Sequence, residues 1–306
     1  MEALKREMEQ RGYEILGPIT KGWSSDKKFL MSDREGGRLV LRAAAIERLE
    51  QKRQEFAFLS RVAALGVPTS QPVCFGVCAD WVYMVLRWVD GEDMEQVLLQ
   101  QSLSDEEQYR LGVQASRLLK QIHALPLSQE QQKQQLTRKR IEHKLMQLKR
   151  YEESGVRMPQ DRRLIEEIRK ESRALSCRPA AWCHGDFHAG NLVYTPQRSV
   201  AVIDFNRFDL IDPYEEFYKV ELFDTEVSVP FAAGRLDGYF GTKVPTEFWQ
   251  VHRIYLMQAI LYSIVWAQPF GPEEVDGMKS RYLRAMQQYD GFEREIPLWY
   301  ERYKNR

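Results

Sequence analysis

The sequence predicts an α+β fold with two lobes: a small N-terminal lobe built on an antiparallel sheet, and a larger, mostly helical C-terminal lobe. Three short segments rich in β-forming residues come first, separated by turns that contain Gly and Ser. Apolar residues then recur at helical spacing between residues 46 and 65. Helical patterns dominate after residue 91, so the predicted lobes are residues 1–90 and 91–306.

Each predicted element has its own local pattern. The N-terminal lobe is predicted to contain strands at residues 13–16, 28–31, 38–42, 73–75 and 81–88, with one long helix packed on them. In the C-terminal lobe, Ser104 and Glu107 form a capping-box pattern at the start of an amphipathic helix. Short strands at residues 181–183, 192–194 and 200–205, and further helices from Pro213 onwards, complete the prediction.

Composition argues against several classes of partner. The 44 Lys and Arg residues balance the 44 Asp and Glu residues, so the net charge favours neither nucleic acid nor an anionic membrane surface. The first seven residues alternate in charge and lack the apolar core of a secretory signal, and no apolar run is long enough to cross a bilayer. We therefore expect a cytoplasmic protein.

The cysteines are sparse. Cys74, Cys78, Cys177 and Cys183 are too few to form a disulfide framework in a chain of 306 residues, and we interpret them as free thiols. A structural zinc site is the disfavoured alternative, because the two pairs of cysteines differ in spacing.

The residues that carry chemistry are concentrated in segment 184–192 and in Ile203-Asp204-Phe205. Both are polar loops flanked by short apolar segments. Phosphoryl transfer requires a carboxylate that orients the accepting hydroxyl, together with oxygen ligands that hold Mg²⁺ on the phosphates. Asp186, Asn191 and Asp204 can supply these groups.

The loop His184-Gly185-Asp186, with Asn191 and the later Ile203-Asp204-Phe205, resembles the aminoglycoside phosphotransferase family, the antibiotic kinases with a protein-kinase-like fold. The resemblance spans nearly the whole chain. It implies that Asp186 is the catalytic base, that Asn191 and Asp204 bind Mg²⁺, and that ATP or GTP is the co-substrate. It also implies that His184 structures the loop and that Gly185 is a backbone hinge. A zinc site at His184 and His188 is disfavoured, because the glycines predict a loop rather than a helix.

The same resemblance assigns the nucleotide to the N-terminal lobe. The turn that contains Gly22, Ser24 and Ser25 lies between the first two strands, where backbone amides can reach phosphate oxygens. In this fold the third strand carries a lysine that pairs with a glutamate on the next helix. Arg42 occupies that position, and Glu55 is its predicted partner. The alternative is that both are solvated charges.

The segment from residue 84 to residue 91 resembles the hinge of the family, where a strand end meets the purine. Met84, Leu86 and Trp88 are the predicted contacts there, with plain core residues as the alternative interpretation. The aromatic helix at residues 246–266 is interpreted as core rather than pocket.

An acidic run follows Asp204. Between residues 209 and 237 there are eight acidic residues against two basic ones. A cationic substrate would be attracted to this run, and Asp209, Glu215 and Glu216 are the predicted contacts. The alternative is a solvated helix face that begins at a capping box formed by Asp212 and Glu215.

The predicted function is transfer of the γ-phosphoryl group of a nucleoside triphosphate to a hydroxyl of an aminoglycoside-like, cationic small molecule. Antibiotic resistance is the role that the family name suggests. One alternative is a kinase for another metabolite, such as an amino alcohol, a sugar or an amino acid. The other is a nucleotide-binding member without turnover, for which Arg42 at the lysine position is the argument. A protein kinase is disfavoured, because no activation loop is recognisable after Phe205.

Overall fold

A computed structural model describes residues 1–20, 25–100, 102–129, 131, 136–172, 175, 178–241 and 243–306, with the backbone alone at residues 136–139. These residues form two compact units. The first contains Met1–Glu92 and Leu192–Phe208, and the second contains Asp93–Asn191 and Asp209–Arg306. The first unit thus includes a later segment that carries Asp204. The predicted assignment of nucleotide binding to residues 1–90 and of catalysis to residues 91–306 stays a prediction.

The described strands and helices are numbered in chain order. The strands are β1 (Glu14–Pro18), β2 (Lys27–Ser32), β3 (Arg38–Ala45), β4 (Pro72–Cys78), β5 (Trp81–Arg87), β6 (Glu92–Asp93), β7 (Ala181–Cys183), β8 (Leu192–Tyr194), β9 (Val200–Val202) and β10 (Asp209–Ile211). The helices are α1 (Glu2–Gln10), α2 (Leu49–Ala64), α3 (Met94–Leu99), α4 (Asp105–His123), α5 (Leu136–Glu153), α6 (Asp161–Glu171), α7 (Thr225–Val227), α8 (Val229–Phe240), α9 (Thr246–Ala267), α10 (Pro272–Gln288) and α11 (Leu298–Lys304).

The first unit is built on a five-stranded antiparallel sheet in the order β1-β2-β3-β5-β4. The five predicted strands and the predicted helix α2 are all present. Helix α1 was not predicted. Its two core residues, Leu4 and Met8, lie one turn apart in a charged stretch and are buried against Met31, Leu41 and Tyr83. Helix α1 therefore gives the sheet an apolar cover.

The second unit is helical around α9. Residues of α9 such as Leu256 and Ile260 pack with Leu164 of α6 and with Tyr282 of α10. Phe248, Trp249 and Tyr255 are buried, which confirms their interpretation as core. Tyr262 and Trp266 are only half-buried.

The two predicted capping boxes, at Ser104 and at Asp212, have different outcomes in the structure. The capping box of α4 is confirmed: the Ser104 hydroxyl accepts from the Glu107 amide, and the Glu107 carboxylate accepts from the Ser104 amide. Asp212 caps only a short 3₁₀ helix, Pro213–Phe217, by accepting from the Tyr214 amide. None of the helices in the described part of the chain combines the length and the apolar character needed to cross a lipid bilayer.

Candidate active site

The loop that carries Asp186 leaves the short strand β7, which pairs with β10 in the second unit. Gly185 adopts φ +81°, a left-handed conformation that favours glycine, and so turns the chain directly after His184. The Asp186 amide donates to His184 Nδ1 over 3.2 Å. The imidazole therefore fixes the turn from inside, because His184 is fully buried.

A buried carboxylate holds the start of this loop. Glu216 accepts from the His184 amide over 3.0 Å and from the Gly185 amide over 2.5 Å. Its oxygen Oε2 also lies 3.2 Å from His123 Nε2. Burial alone would raise the pKa of Glu216, but hydrogen bonds from His123 and from the Gly185 amide hold that pKa below its ordinary value. The loop backbone therefore rests on an ionised carboxylate.

The far end of the loop is held by a second buried acid. Asp224 accepts from the Ala189 amide over 2.8 Å and forms an ion pair with Arg235 at 2.6 Å, with both side chains fully buried. The Arg235 guanidinium lies over the ring of Phe187, 4.6 Å from its centroid. Segment 184–189 is thus anchored at both ends by side chains from residues 216–235, which preorganises Asp186.

Asp186 itself faces a lysine. Lys219 Nζ lies 2.5 Å from Asp186 Oδ1, and the lysine is almost fully buried. The rings of Tyr218 and Phe223 each lie 5.1 Å from the ammonium. His188 Nε2 is 3.7 Å from the same carboxylate oxygen, and burial lowers the pKa of His188 to about 3. The imidazole is therefore neutral near pH 7, and Lys219 is the cation at Asp186.

Asn191 lies at the end of a one-turn 3₁₀ helix and points back into the loop. Its Nδ2 donates to the Asp186 carbonyl over 2.8 Å. The amide nitrogen is thereby used within the loop, and Oδ1 is the atom suited to a metal ion.

The first unit contains the predicted ion pair of Arg42 and Glu55, and also Asp204. The expected ion pair between Arg42 and Glu55 is present at 3.1 Å, and both side chains are buried, so the interpretation as solvated charges is wrong. Arg42 Nη1 also lies 3.2 Å from Asp204 Oδ1. Asp204 is one-third exposed and adopts φ +63°, a strained conformation for a residue with a side chain. Such strain is typical of functional sites.

Only some of the other residues predicted to contact the nucleotide lie within the described part of the chain. Gly22 and Ser24 lie outside the described residues. The Ser25 hydroxyl accepts from Arg48 over 2.8 Å. Met84 lies opposite Arg42 in the register of β3 and β5 and is buried, as is Leu86. Trp88 is half-buried. Their contact with a purine stays a prediction.

The acidic run is mostly interior rather than a solvated face. Asp212, Glu215, Glu216, Glu221, Asp224 and Asp237 are all buried. Glu215 is bound by Arg140 at 3.1 Å and by Lys144 at 2.7 Å, and Glu216 is bound by the loop. Asp209 is exposed and pairs with Arg140 at 2.6 Å. The alternative interpretation as a solvated surface is therefore wrong for these six residues, whereas the role of Asp209, Glu215 and Glu216 towards a substrate stays a prediction.

Sequence reasoning missed three charged residues at these groups. Lys219 was visible as one of two cations in an acidic run, and its isolation was the available signal. Lys52 lies three residues before Glu55, a spacing that places two side chains on one face of a helix. Asp26 directly follows the predicted phosphate turn. Each forms an ion pair with a predicted site residue: Lys219 with Asp186, Lys52 with Glu55, and Asp26 with Arg42.

The two residues predicted to bind metal each carry a donor atom that suits a hard cation. A carboxylate at Asp204 and an amide oxygen at Asn191 are the ligand types that Mg²⁺ prefers, and the Asp204 side chain is partly open to solvent. Each of these ligand types is compatible with Mg²⁺, and binding of the ion by Asn191 and Asp204 stays a prediction.

The comparison that decides the family is with protein-family models. The model of the phosphotransferase enzyme family matches residues 16–249. The chain belongs to this family. It is therefore a phosphotransferase-family protein with the predicted kinase-like α+β fold. No match is found among the curated proteins.

Several solved structures have the same fold. An amicoumacin kinase in complex with AMP-PNP, Ca²⁺ and Ami is 15% identical, with 99% of this chain and 96% of that chain covered and a TM-score of 0.68. A spectinomycin phosphotransferase in complex with ADP and spectinomycin is 14% identical, with coverage of 93% and 94% and a TM-score of 0.65. An aminoglycoside phosphotransferase from Alicyclobacillus acidocaldarius is 14% identical, with coverage of 91% for both chains and a TM-score of 0.59.

Proposed function

We propose that this protein is a small-molecule kinase that transfers the γ-phosphoryl group of ATP to a substrate hydroxyl, with Asp186 as the base. The observation that supports this most directly is the anchoring of the Asp186 loop. Glu216 and Asp224 hold the backbone on either side of a carboxylate that is itself half-buried and paired with Lys219. A base that is held in one place loses little entropy when it orients the accepting hydroxyl.

The other motif residues complete the proposal. Arg42 contacts the phosphates, together with the turn at residues 22–25, and Met84, Leu86 and Trp88 contact the purine. Asn191 and Asp204 hold Mg²⁺, which when bound neutralises charge on the phosphates. Asp186 accepts the proton of the hydroxyl as the oxygen attacks the γ-phosphorus, and the nucleoside diphosphate leaves.

The class of substrate has weaker support than phosphoryl transfer itself. Solved members of the fold include proteins named for amicoumacin and for spectinomycin, which supports an antibiotic-like hydroxyl compound. The predicted preference for a cationic aminoglycoside rests on acidic residues that protein cations already neutralise: Arg140 pairs with Asp209, and Lys144 pairs with Glu215. These pairs favour the second candidate, a kinase for a less cationic hydroxyl metabolite.

The experiment measures ATP consumption by the purified protein with MgCl₂ across matched panels of aminoglycosides, amino alcohols, sugars and hydroxy acids. The Asp186→Ala variant is the blank. We expect one class to stimulate consumption in the wild type and no class to do so in the variant. Nucleotide binding without stimulation by any class would instead favour a binding protein without turnover.

Lys219 gives a further prediction. Replacing it with methionine removes the ammonium from Asp186 while keeping the length of the side chain. Because charge-assisted hydrogen bonds contribute about 1.5–3 kcal/mol, we expect kcat to fall by about 10- to 100-fold. The KM for ATP should change little, and Lys219→Arg should recover part of the loss. Equal kcat in the wild type and in Lys219→Met would show that this contact has no role in turnover.

A further inference from the structure

The Arg42–Glu55 pair is one side of a closed ring of alternating charges. Arg42 Nη1 lies 3.1 Å from Glu55 Oε1, and Glu55 Oε2 lies 2.8 Å from Lys52 Nζ. Lys52 Nζ lies 2.5 Å from Asp26 Oδ2, and that oxygen lies 2.9 Å from Arg42 Nη2. We call these four residues the charge ring. Two cations and two anions alternate around it, so its formal charge is zero.

The charge ring is buried throughout. The exposed fractions of the side chains are 8% for Arg42, 0% for Asp26, 3% for Lys52 and 2% for Glu55. Buried ion pairs are retained only with good geometry, and loss of one partner leaves an uncompensated charge in the interior. Each member here has two oppositely charged neighbours within the ring, so removal of one disturbs the positions of both.

The ring suits arginine rather than lysine at position 42. The guanidinium uses separate nitrogens for its partners: Nη2 for Asp26, and Nη1 for Glu55 and Asp204. A single ammonium on a flexible chain cannot hold these carboxylates in a planar fork. Arginine at this position therefore comes with a second acid and a second cation, which a simple loss of function would not require.

One atom of the ring lacks a partner. Arg42 Nε is buried and, within the described residues, makes no hydrogen bond. A buried donor without an acceptor is unfavourable, and a charged guanidinium N–H bonds best to an anionic oxygen. An arriving phosphate oxygen would supply that acceptor.

The ring also joins three segments of the chain. Asp26 follows the turn predicted for phosphate binding, Arg42 lies on β3, and Lys52 and Glu55 lie on α2. Arg48 extends the link, because its Nη1 contacts both Asp26 Oδ1 at 2.9 Å and the Ser25 hydroxyl at 2.8 Å. The position of Ser25 is therefore coupled, through Arg48 and Asp26, to that of Arg42.

We propose that Asp26 and Lys52 are positioning residues of the nucleotide site, which hold Arg42 as the phosphate-binding cation. This inference rests on the proposed function, because it assumes that Arg42 contacts the phosphates. Asp26 and Lys52 lie outside the motifs, and together with them Arg42 forms an adapted phosphate-binding group rather than a degenerate one.

The test is the equilibrium affinity for AMP-PNP with MgCl₂, measured by calorimetry on the full chain. Asp26→Asn and Lys52→Met should each weaken binding by about tenfold or more, because Arg42 loses its fixed position. Arg42→Lys should weaken binding rather than improve it. The matched control is Arg53→Met, which removes a cation from the adjacent, exposed position of α2. It should leave the affinity unchanged.

A second variant separates positioning from folding. The double variant Asp26→Asn/Lys52→Met keeps the ring neutral, so its melting temperature should recover towards the wild-type value while its nucleotide affinity stays low. Recovery of affinity together with stability would overturn the inference, as would wild-type affinity in both single variants. Failure of the wild-type protein to bind AMP-PNP at all would overturn the proposed function instead.

Discussion

Replacement of Asp186 by asparagine is expected to lower kcat for phosphoryl transfer by about 10³-fold, because general-base assistance contributes about 10²- to 10⁴-fold. Asparagine keeps the shape of the side chain but cannot accept the hydroxyl proton. The loop itself should stay in place, since the Glu216 and Asp224 contacts go to the backbone of residues 184, 185 and 189. Turnover should fall while AMP-PNP affinity remains that of the wild type.

The measurement is steady-state turnover with the substrate class found in the screen, alongside calorimetry with AMP-PNP. A natural control is Asp276→Asn, which removes an exposed carboxylate of α10 that pairs only with the neighbouring Lys279 in the contacts described. It should have normal kcat. An Asp186→Asn protein with full kcat would rule out the base assigned here.

Replacement of Asp204 by asparagine should abolish the Mg²⁺ dependence of nucleotide binding. A bound metal ion is worth several kcal/mol of charge stabilisation on transferred phosphates, so kcat should also fall by about 100-fold or more. Asp204 further contacts Arg42, and asparagine removes that ion pair as well. The two effects differ in their response to metal, because the ion pair with Arg42 needs no Mg²⁺.

Calorimetry with and without EDTA separates these contributions. In the wild type, AMP-PNP should bind much more tightly with MgCl₂ than with EDTA. In Asp204→Asn the two affinities should be similar. A variant that retained the wild-type ratio would place the metal ligand elsewhere.

The fold could be predicted where one local pattern determines one element. The five strands of the first unit alternate or run apolar between turn residues, and α2 has clear helical spacing, so both were found. Helix α1 was missed, because only Leu4 and Met8 mark its buried face among charged neighbours. That helix is stabilised by the sheet beneath it, and tertiary contact of this kind leaves little trace in local sequence.

The motif residues could also be predicted, but their partners could not. The His-Gly-Asp loop, Asn191 and Asp204 follow a fixed spacing, whereas the groups that hold them come from distant positions. Lys219 reaches Asp186 across 33 residues, and Asp26 reaches Arg42 across 16. The burial of the acidic residues between positions 209 and 237 could not be predicted, for the same reason. A carboxylate at Glu215 or Asp224 looks solvated in sequence, and only the fold shows the buried cation beside it.

We propose above that Asp186 directs the γ-phosphoryl group of ATP to a hydroxyl. The most direct measurement follows the label from γ-phosphate-labelled ATP into a non-nucleotide product, with the stimulating substrate class and MgCl₂. We expect the wild type to label the product at a hydroxyl oxygen and Asp186→Asn to leave it unlabelled. Label that appears only as free phosphate, or equal labelling by both proteins, would contradict it.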